Sequence, residues 1–181
     1  MPTFNFVIRD GVQSDVPTCI ALDHHYTTEH VWQMTFQNEG GGYRMNFRVE
    51  RLPREVESVY PVPEERLEAA CKNGGLLVAV GKEGTDVLGY ITLRYDSFNQ
   101  VATIRDIVVT RSLRHYGVGA RLFSVARRWA QEKGAHHLIA EVQNKNYPAI
   151  QFCQRFGLEF CGFNDKYFPE HDIALFFSQS L

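Results

Sequence analysis

Strand and helix signals along this chain predict a single α+β domain, and three observations carry that expectation. The chain has 181 residues, 44% of them apolar and 22% charged, which suits one compact domain with a sizeable core. Three β-rich runs in succession, at 76–80, 87–95 and 102–109, read as an antiparallel meander. The clearest helical periodicity then falls between that meander and a further apolar run at 137–142, with no internal repeat or linker long enough to divide the chain.

Taken in order, residues 4–9 alternate as a strand and Asp10-Gly11 makes a turn. A short helix should follow, with Ser14 as its cap and Pro17 in its first turn. Residues 31–37 and 43–51 are two β-rich runs around Asn38-Glu39-Gly40-Gly41-Gly42, a hairpin with a glycine tip. No helix follows those glycines, so a turn is favoured over a phosphate cradle. A Pro-spaced stretch over 52–63 leads to a helix at 64–72 that stops at Asn73-Gly74-Gly75. The meander turns at 82–86. Val118, Leu122, Val125, Ala126 and Trp129 then mark an amphipathic helix ended by Gly134. After the strand at 137–142 come a helix over 147–156, with Pro148 in its first turn, and two strands at 160–163 and 173–178.

Charge and composition exclude several functions. Nineteen basic residues against twenty-one acidic ones give a net charge of −2 and a pI of about 6.4, so the basic footprint of a nucleic-acid binder is missing. The longest apolar stretch, 75–80, is far short of a membrane span. The N-terminal residues lack a basic head and an apolar run and read as mature cytoplasmic sequence. Cys19, Cys71, Cys153 and Cys161 form no C-x-x-C pair and suit reduced thiols. The pairs His24-His25 and His136-His137 place adjacent side chains on opposite faces of a strand, so no metal site is expected.

The most informative residues are Arg114-His115-Tyr116-Gly117-Val118-Gly119-Ala120, between the strand ending Ile107-Val108-Val109 and the amphipathic helix. Glycines at such a junction let backbone N–H groups converge on an anion at the positive end of the helix dipole. The third glycine of a dinucleotide fingerprint and the Gly-Lys-Ser/Thr of a P-loop are both missing. The stretch matches R-x-x-G-x-G/A and resembles the acetyl-CoA-binding motif of the GNAT-superfamily acetyltransferases. Downstream, Asn146-Tyr147-Pro148-Ala149-Ile150-Gln151-Phe152-Cys153-Gln154-Arg155-Phe156-Gly157-Leu158 is similar to that family's N-x-x-A-x-x-F-Y-x-x-x-G-F segment. Within the superfamily, residues 107–110, 140–143 and 174–177 look most like streptothricin-type acetyltransferases.

The resemblance implies a three-layer fold, a mixed and mostly antiparallel sheet flanked by helices, in one domain spanning 1–181. Residues 102–158 would form the cofactor-binding core, and 1–75 with 160–181 the acceptor side. Its two central strands, here 102–109 and 137–142, would splay to admit pantetheine. Ile107, Val108 and Val109 would pair with pantetheine, and Arg114, His115, Gly117, Val118, Gly119 and Ala120 would hold the pyrophosphate. Asn146 would hold the pantetheine amide or the thioester end. The implied activity is acetyl transfer from acetyl-CoA to a primary amine of a small molecule, such as an amine antibiotic or metabolite. A protein N-terminus or lysine as acceptor, and a non-catalytic acyl-CoA sensor, are the alternatives. Exposed late strands leave room for homodimer pairing.

Deprotonating a lysine-like ammonium at pH 7.4 costs roughly 4 kcal/mol, whereas a CoA thiolate with a pKa near 8.5 leaves at a cost of about 1.5 kcal/mol. A base therefore matters more than an acid. Ala140-Glu141-Val142 resembles the segment that carries the base in ribosomal-protein acetyltransferases, and Asp106 interrupts an otherwise apolar strand. A water chain is the remaining route for that proton. Many relatives carry an acid tyrosine directly after the position of Phe152, where this chain has Cys153. Tyr147 and Tyr167 are substitutes, and a buried cysteine commonly serves as packing. Tyr26, Trp32 and Tyr43 are candidates to line the acceptor pocket, with Glu29, Glu39 or Asp96 attracting its positive charge. Arg111, Arg114, Arg121, Arg127 and Arg128 concentrate five basic residues in the anion loop and its helix.

Overall fold

A computed structural model describes residues 5–81, 86–168 and 172–181. Phe4 and residues 82–85 of the expected turn lie outside the described residues. The elements are β1 (Phe6–Asp10), a 3-10 turn (Gln13–Asp15), α1 (Val16–Ile20), β2 (His25–Asn38), β3 (Tyr43–Val59), α2 (Glu64–Lys72), β4 (Leu76–Gly81) and β5 (Val87–Asp96). They continue with β6 (Val101–Val109), a second 3-10 turn (Arg111–Leu113), α3 (Val118–Glu132), β7 (His137–Gln143), α4 (Tyr147–Arg155), β8 (Glu159–Asn164) and β9 (Ala174–Ser180). Seven strands form a mixed sheet in the order β1-β4-β5-β6-β7-β9-β8, and β2 and β3 form a ribbon of their own. The pairs from β1 to β6 are antiparallel, and β6 with β7 is parallel. This is the mixed, mostly antiparallel α+β architecture that the sequence implies. Among the described residues no helix is long and apolar enough to cross a membrane.

The chain divides into two compact units. The first comprises Met1–His24, Tyr60–Glu141 and Ser178–Leu181, the second His25–Val59 and Val142–Phe177. In the first, β4 is buried from Leu76 to Val80 because it is covered on both faces. Leu76, Val78 and Val80 join Val16, Cys19, Leu67, Ala70, Tyr90 and Val108 in one cluster under α1 and α2. On α3, Val118, Leu122, Phe123, Ala126 and Ala130 are buried, one stripe of the helix turned to β4, β5 and β6. Each fully buried Val, Leu or Phe among them contributes about 1.5–3 kcal/mol. At Gly75, whose C=O accepts the Leu93 N–H at 2.7 Å, a Cβ would stand 2.1 Å from the Leu93 carbonyl oxygen, so the close approach of these strands requires glycine.

Two local expectations change. Ser14 does not cap α1 but lies inside the preceding 3-10 turn. The Asp15 carboxylate instead accepts the Val12 N–H at 2.8 Å and binds Arg9 through both oxygens, at 2.7 and 2.9 Å. In the second unit the hairpin forms as predicted, with Glu39 N–H donating to the Gly42 carbonyl, but β3 runs on to Val59 through the Pro-spaced stretch. Pro53 is accommodated because pairing jumps from His30↔Arg51 to Thr28↔Val56, so it falls in an irregularity of a ribbon-edge strand. Trp32, Phe47, Phe160 and Phe177 pack ring against ring at 5.1–6.1 Å.

Candidate functional site

In the first unit the chain leaves β6 at Val109, makes the 3-10 turn Arg111–Leu113 and enters α3 through Gly117. Gly117 is the N-cap, with φ +87° and ψ −3°. A side chain there would meet nothing within 4 Å, so the left-handed backbone, not space, selects glycine. The first intrahelical bond runs from Arg121 N–H to the Gly117 carbonyl, leaving the N–H groups of Val118, Gly119 and Ala120 without helical acceptors. No acidic residue stands in that first turn. His115, also left-handed at φ +68°, precedes it at a strain cost. The arrangement fits an anion at the helix start.

Arg114 is turned partly inward. Its Nε donates to the Val109 carbonyl and its Nη2 to the Asp23 carbonyl, both at 3.0 Å, and burial draws its pKa below the usual arginine value. It therefore shapes the loop as well as charging it. Arg121 lies in the first turn, but Arg127 and Arg128 are about 13–15 Å along the axis from Val118. A phosphate at the N-terminus is out of their reach.

Ile107, Val108 and Val109 pair with Ile91, Tyr90 and Gly89 of β5 along one edge. On the other edge, the parallel pairing of β6 with β7 runs from Val101↔His137 to Ile104↔Ala140. Beyond Ile104, β6 continues to Val109 with a second edge to which an amide-bearing ligand can add.

The two candidate carboxylates sit in different surroundings within the same unit. Opposite β5, Thr92 pairs with Asp106 and Leu93 with Ile104, so Arg105 is the extra residue of a bulge. The Asp106 side chain is fully buried, one oxygen 2.8 Å from Arg66 Nη1 and the other accepting from Thr92 Oγ1 at 2.5 Å. Tyr60 accepts from Arg66 and donates to the Arg105 carbonyl, each at 3.3 Å, and burial raises its phenol pKa. Glu141, its side chain 7% exposed, lies with Oε2 2.8 Å from Arg105 Nε. That contact is an ion pair, since the buried Nε makes no aligned hydrogen bond. Sequence reasoning missed Tyr60, Arg66, Thr92 and Arg105. The charged pair Arg105-Asp106 inside an apolar strand was the available signal.

In the second unit Asn146 is the N-cap of α4, its Oδ1 accepting the Ala149 N–H at 3.1 Å. The amide nitrogen takes no part in that bond. Tyr147 stacks obliquely on His30 at 5.2 Å, and Tyr167 meets Phe168 and Phe176 edge-on. Cys153 is buried on α4, and burial pushes its thiol up to about 12. Asn144, also missed, donates through Nδ2 to the Trp32 carbonyl and accepts the Ile173 N–H, tying β2 to the segment before β9.

The aromatic and acidic residues expected near the acceptor each have contacts of their own. Trp32 belongs to the ring cluster, Tyr26 is buried, and Tyr43 stacks on Phe36. Glu39 pairs with Arg44 at 3.1 Å, Glu29 with Arg51 at 3.9 Å, and Asp96 accepts from Phe98 and Asn99 of its own turn.

Known proteins resemble this chain over most of its length. The family model described as Acetyltransferase (GNAT) family matches residues 45–158. The streptothricin acetyltransferase of Streptomyces lavendulae is 31% identical over 187 aligned residues, covering 97% of this chain and 94% of that protein. Among solved structures, nourseothricin acetyltransferase superposes with a TM-score of 0.81 at 29% identity, covering 97% of this chain and 98% of that one. A Bacillus anthracis str. Ames protein solved in complex with acetyl coenzyme A shares the fold, with a TM-score of 0.75 at 22% identity over 99% of both chains.

Proposed function

This chain belongs to the GNAT acetyltransferase family and is an acetyl-CoA-dependent N-acetyltransferase acting on an amine, and from that premise we propose that its acceptor is an amino group of a streptothricin-type antibiotic and that Glu141 is the base. The near-full-length 31% identity to the Streptomyces lavendulae enzyme carries the acceptor reading.

In this reading Val118, Gly119 and Ala120 direct backbone N–H groups at the pyrophosphate of acetyl-CoA, and Ile107–Val109 pair with its pantetheine. Asn146 takes the thioester end through its amide nitrogen. The acceptor ammonium loses a proton to Glu141, which Arg105 holds in place. The amine then forms the C–N bond as the thioester C–S bond breaks, CoA leaves as the thiolate, and the second proton shed by the acylated nitrogen passes to that thiolate or to water. Asp106, both oxygens occupied, fixes Arg66 and the bulge rather than moving protons.

Cys153 supplies no proton. Transfer from a thiol near 12 to a CoA thiolate near 8.5 would run uphill by roughly 5 kcal/mol, more than the thiolate costs to release unprotonated. Cys153 packs α4, and Tyr147 is the nearer substitute in sequence.

The test is CoA-thiol release from acetyl-CoA with streptothricin and, separately, a ribosomal N-terminal peptide as acceptors. Release with streptothricin alone is expected. Release with the peptide alone overturns the acceptor reading. No release with any amine, while acetyl-CoA still raises the melting temperature, would identify an acyl-CoA-binding sensor.

A further inference from the structure

A second concavity lies wholly within the first unit, away from the glycine loop. Its volume is about 430 Å3, and its walls include Arg66 of α2, Arg94 and Tyr95 of β5, Arg105 of β6, and Trp129 and Lys133 at the far end of α3. That size falls among small-molecule sites. Trp129 is eleven residues past Val118, about 16 Å along the helix axis, so an anion held by the α3 N-terminus does not reach this cavity.

Among the described residues the lining carries four cations and no carboxylate. Carboxylates behind the wall offset part of that charge, and the positive remainder at the rim favours an entering anion. Two of the cations are anchored from behind, Arg66 on Asp106 and Arg105 on Glu141. The anchoring is incomplete at Arg105, whose buried Nε lacks an aligned acceptor. Arg94 and Lys133 are solvent-exposed at the rim. Lys133 Nζ stands 5.6 Å over the Trp129 ring, and Asp96 accepts hydrogen bonds from its own turn while also feeling the Arg94 charge. Arginine forks match clustered carboxylate or phosphate oxygens. The positive lining also disfavours the cationic acceptor of the transfer reaction.

We infer that this cavity binds a small organic polyanion, with clustered carboxylate or phosphate groups, at a site separate from that of the acetyl-CoA pyrophosphate. Arg105 and Arg66 form its inner wall, and Arg94 and Lys133 close over the ligand from the rim.

Citrate and inorganic pyrophosphate are the probes, titrated calorimetrically with CoA saturating and ionic strength matched by sodium chloride. Binding with Kd below about 1 mM is expected, weakened at least tenfold in the Arg94→Ala/Lys133→Ala double variant and unchanged in Arg114→Ala. Both rim residues are exposed, and an unchanged melting temperature verifies that the double variant folds. Tighter citrate binding assigns carboxylates and tighter pyrophosphate assigns phosphates. No heat beyond the chloride control, equal affinity in the double variant, or weakening by Arg114→Ala overturns the inference.

Discussion

Asp106 has both carboxylate oxygens engaged, by Arg66 and Thr92, with its side chain fully buried. Glu141, paired with Arg105, keeps a slightly exposed side chain. A base must exchange its proton with an acceptor that arrives from water, whereas a buried anchor must keep its partners. Neutralising each acid therefore has separable effects. Glu141→Gln should lower kcat at least ~100-fold, within the usual range for a general base, with little change in melting temperature. Asp106→Asn strands the Arg66 charge and should cost about 3 kcal/mol, the low end for breaking a buried pair, because Arg66 is 27% exposed. Steady-state kinetics beside thermal melts check both. A Glu141→Gln enzyme of full activity would move the proton to a water chain.

The loop and helix proposed to hold the anion were legible because their signal is local. A strand end, two glycines and a helical stripe fall within about two dozen consecutive residues, joined by left-handed backbones at His115 and Gly117. Gly117→Ala places a Cβ in empty space but in a conformation costing roughly 1–2 kcal/mol for an L residue. The variant should fold, melt about 2–8 °C lower and bind CoA more weakly by about tenfold, read by calorimetry. Wild-type affinity would mean that the loop N–H groups do not carry the pyrophosphate. The continuation of β3 past Arg51 was not legible, since Pro53 and the charged residues around it mimic a loop until the irregular pairing with β2 absorbs them. The Arg66–Asp106 pair joins residues 40 positions apart, and a one-residue bulge decides which way Arg105 leaves its strand. No spacing rule within one element contains either fact.

Across the whole chain the net charge of −2 says little about pH, because stability follows groups whose pKa differs between folded and unfolded states. Each compact unit holds one deeply buried thiol, Cys19 in the first and Cys153 in the second, and burial pushes both up to about 12. Unfolded cysteines ionise near 8.5. Between those values the unfolded chain binds fewer protons than the folded one, so stability falls as pH rises. The stabilisation is complete below about pH 8.5 and is lost progressively toward pH 12. Tyr60 and Tyr90, whose phenols burial also raises, extend the loss above pH 10. Urea midpoints at pH 7.5, 9 and 10.5 should decrease in that order. The decrease should be smaller in a Cys19→Ala/Cys153→Ala variant, although cavity formation lowers its stability at every pH. A wild-type midpoint that holds steady to pH 10.5 would show that the thiols ionise without unfolding and that burial does not govern them.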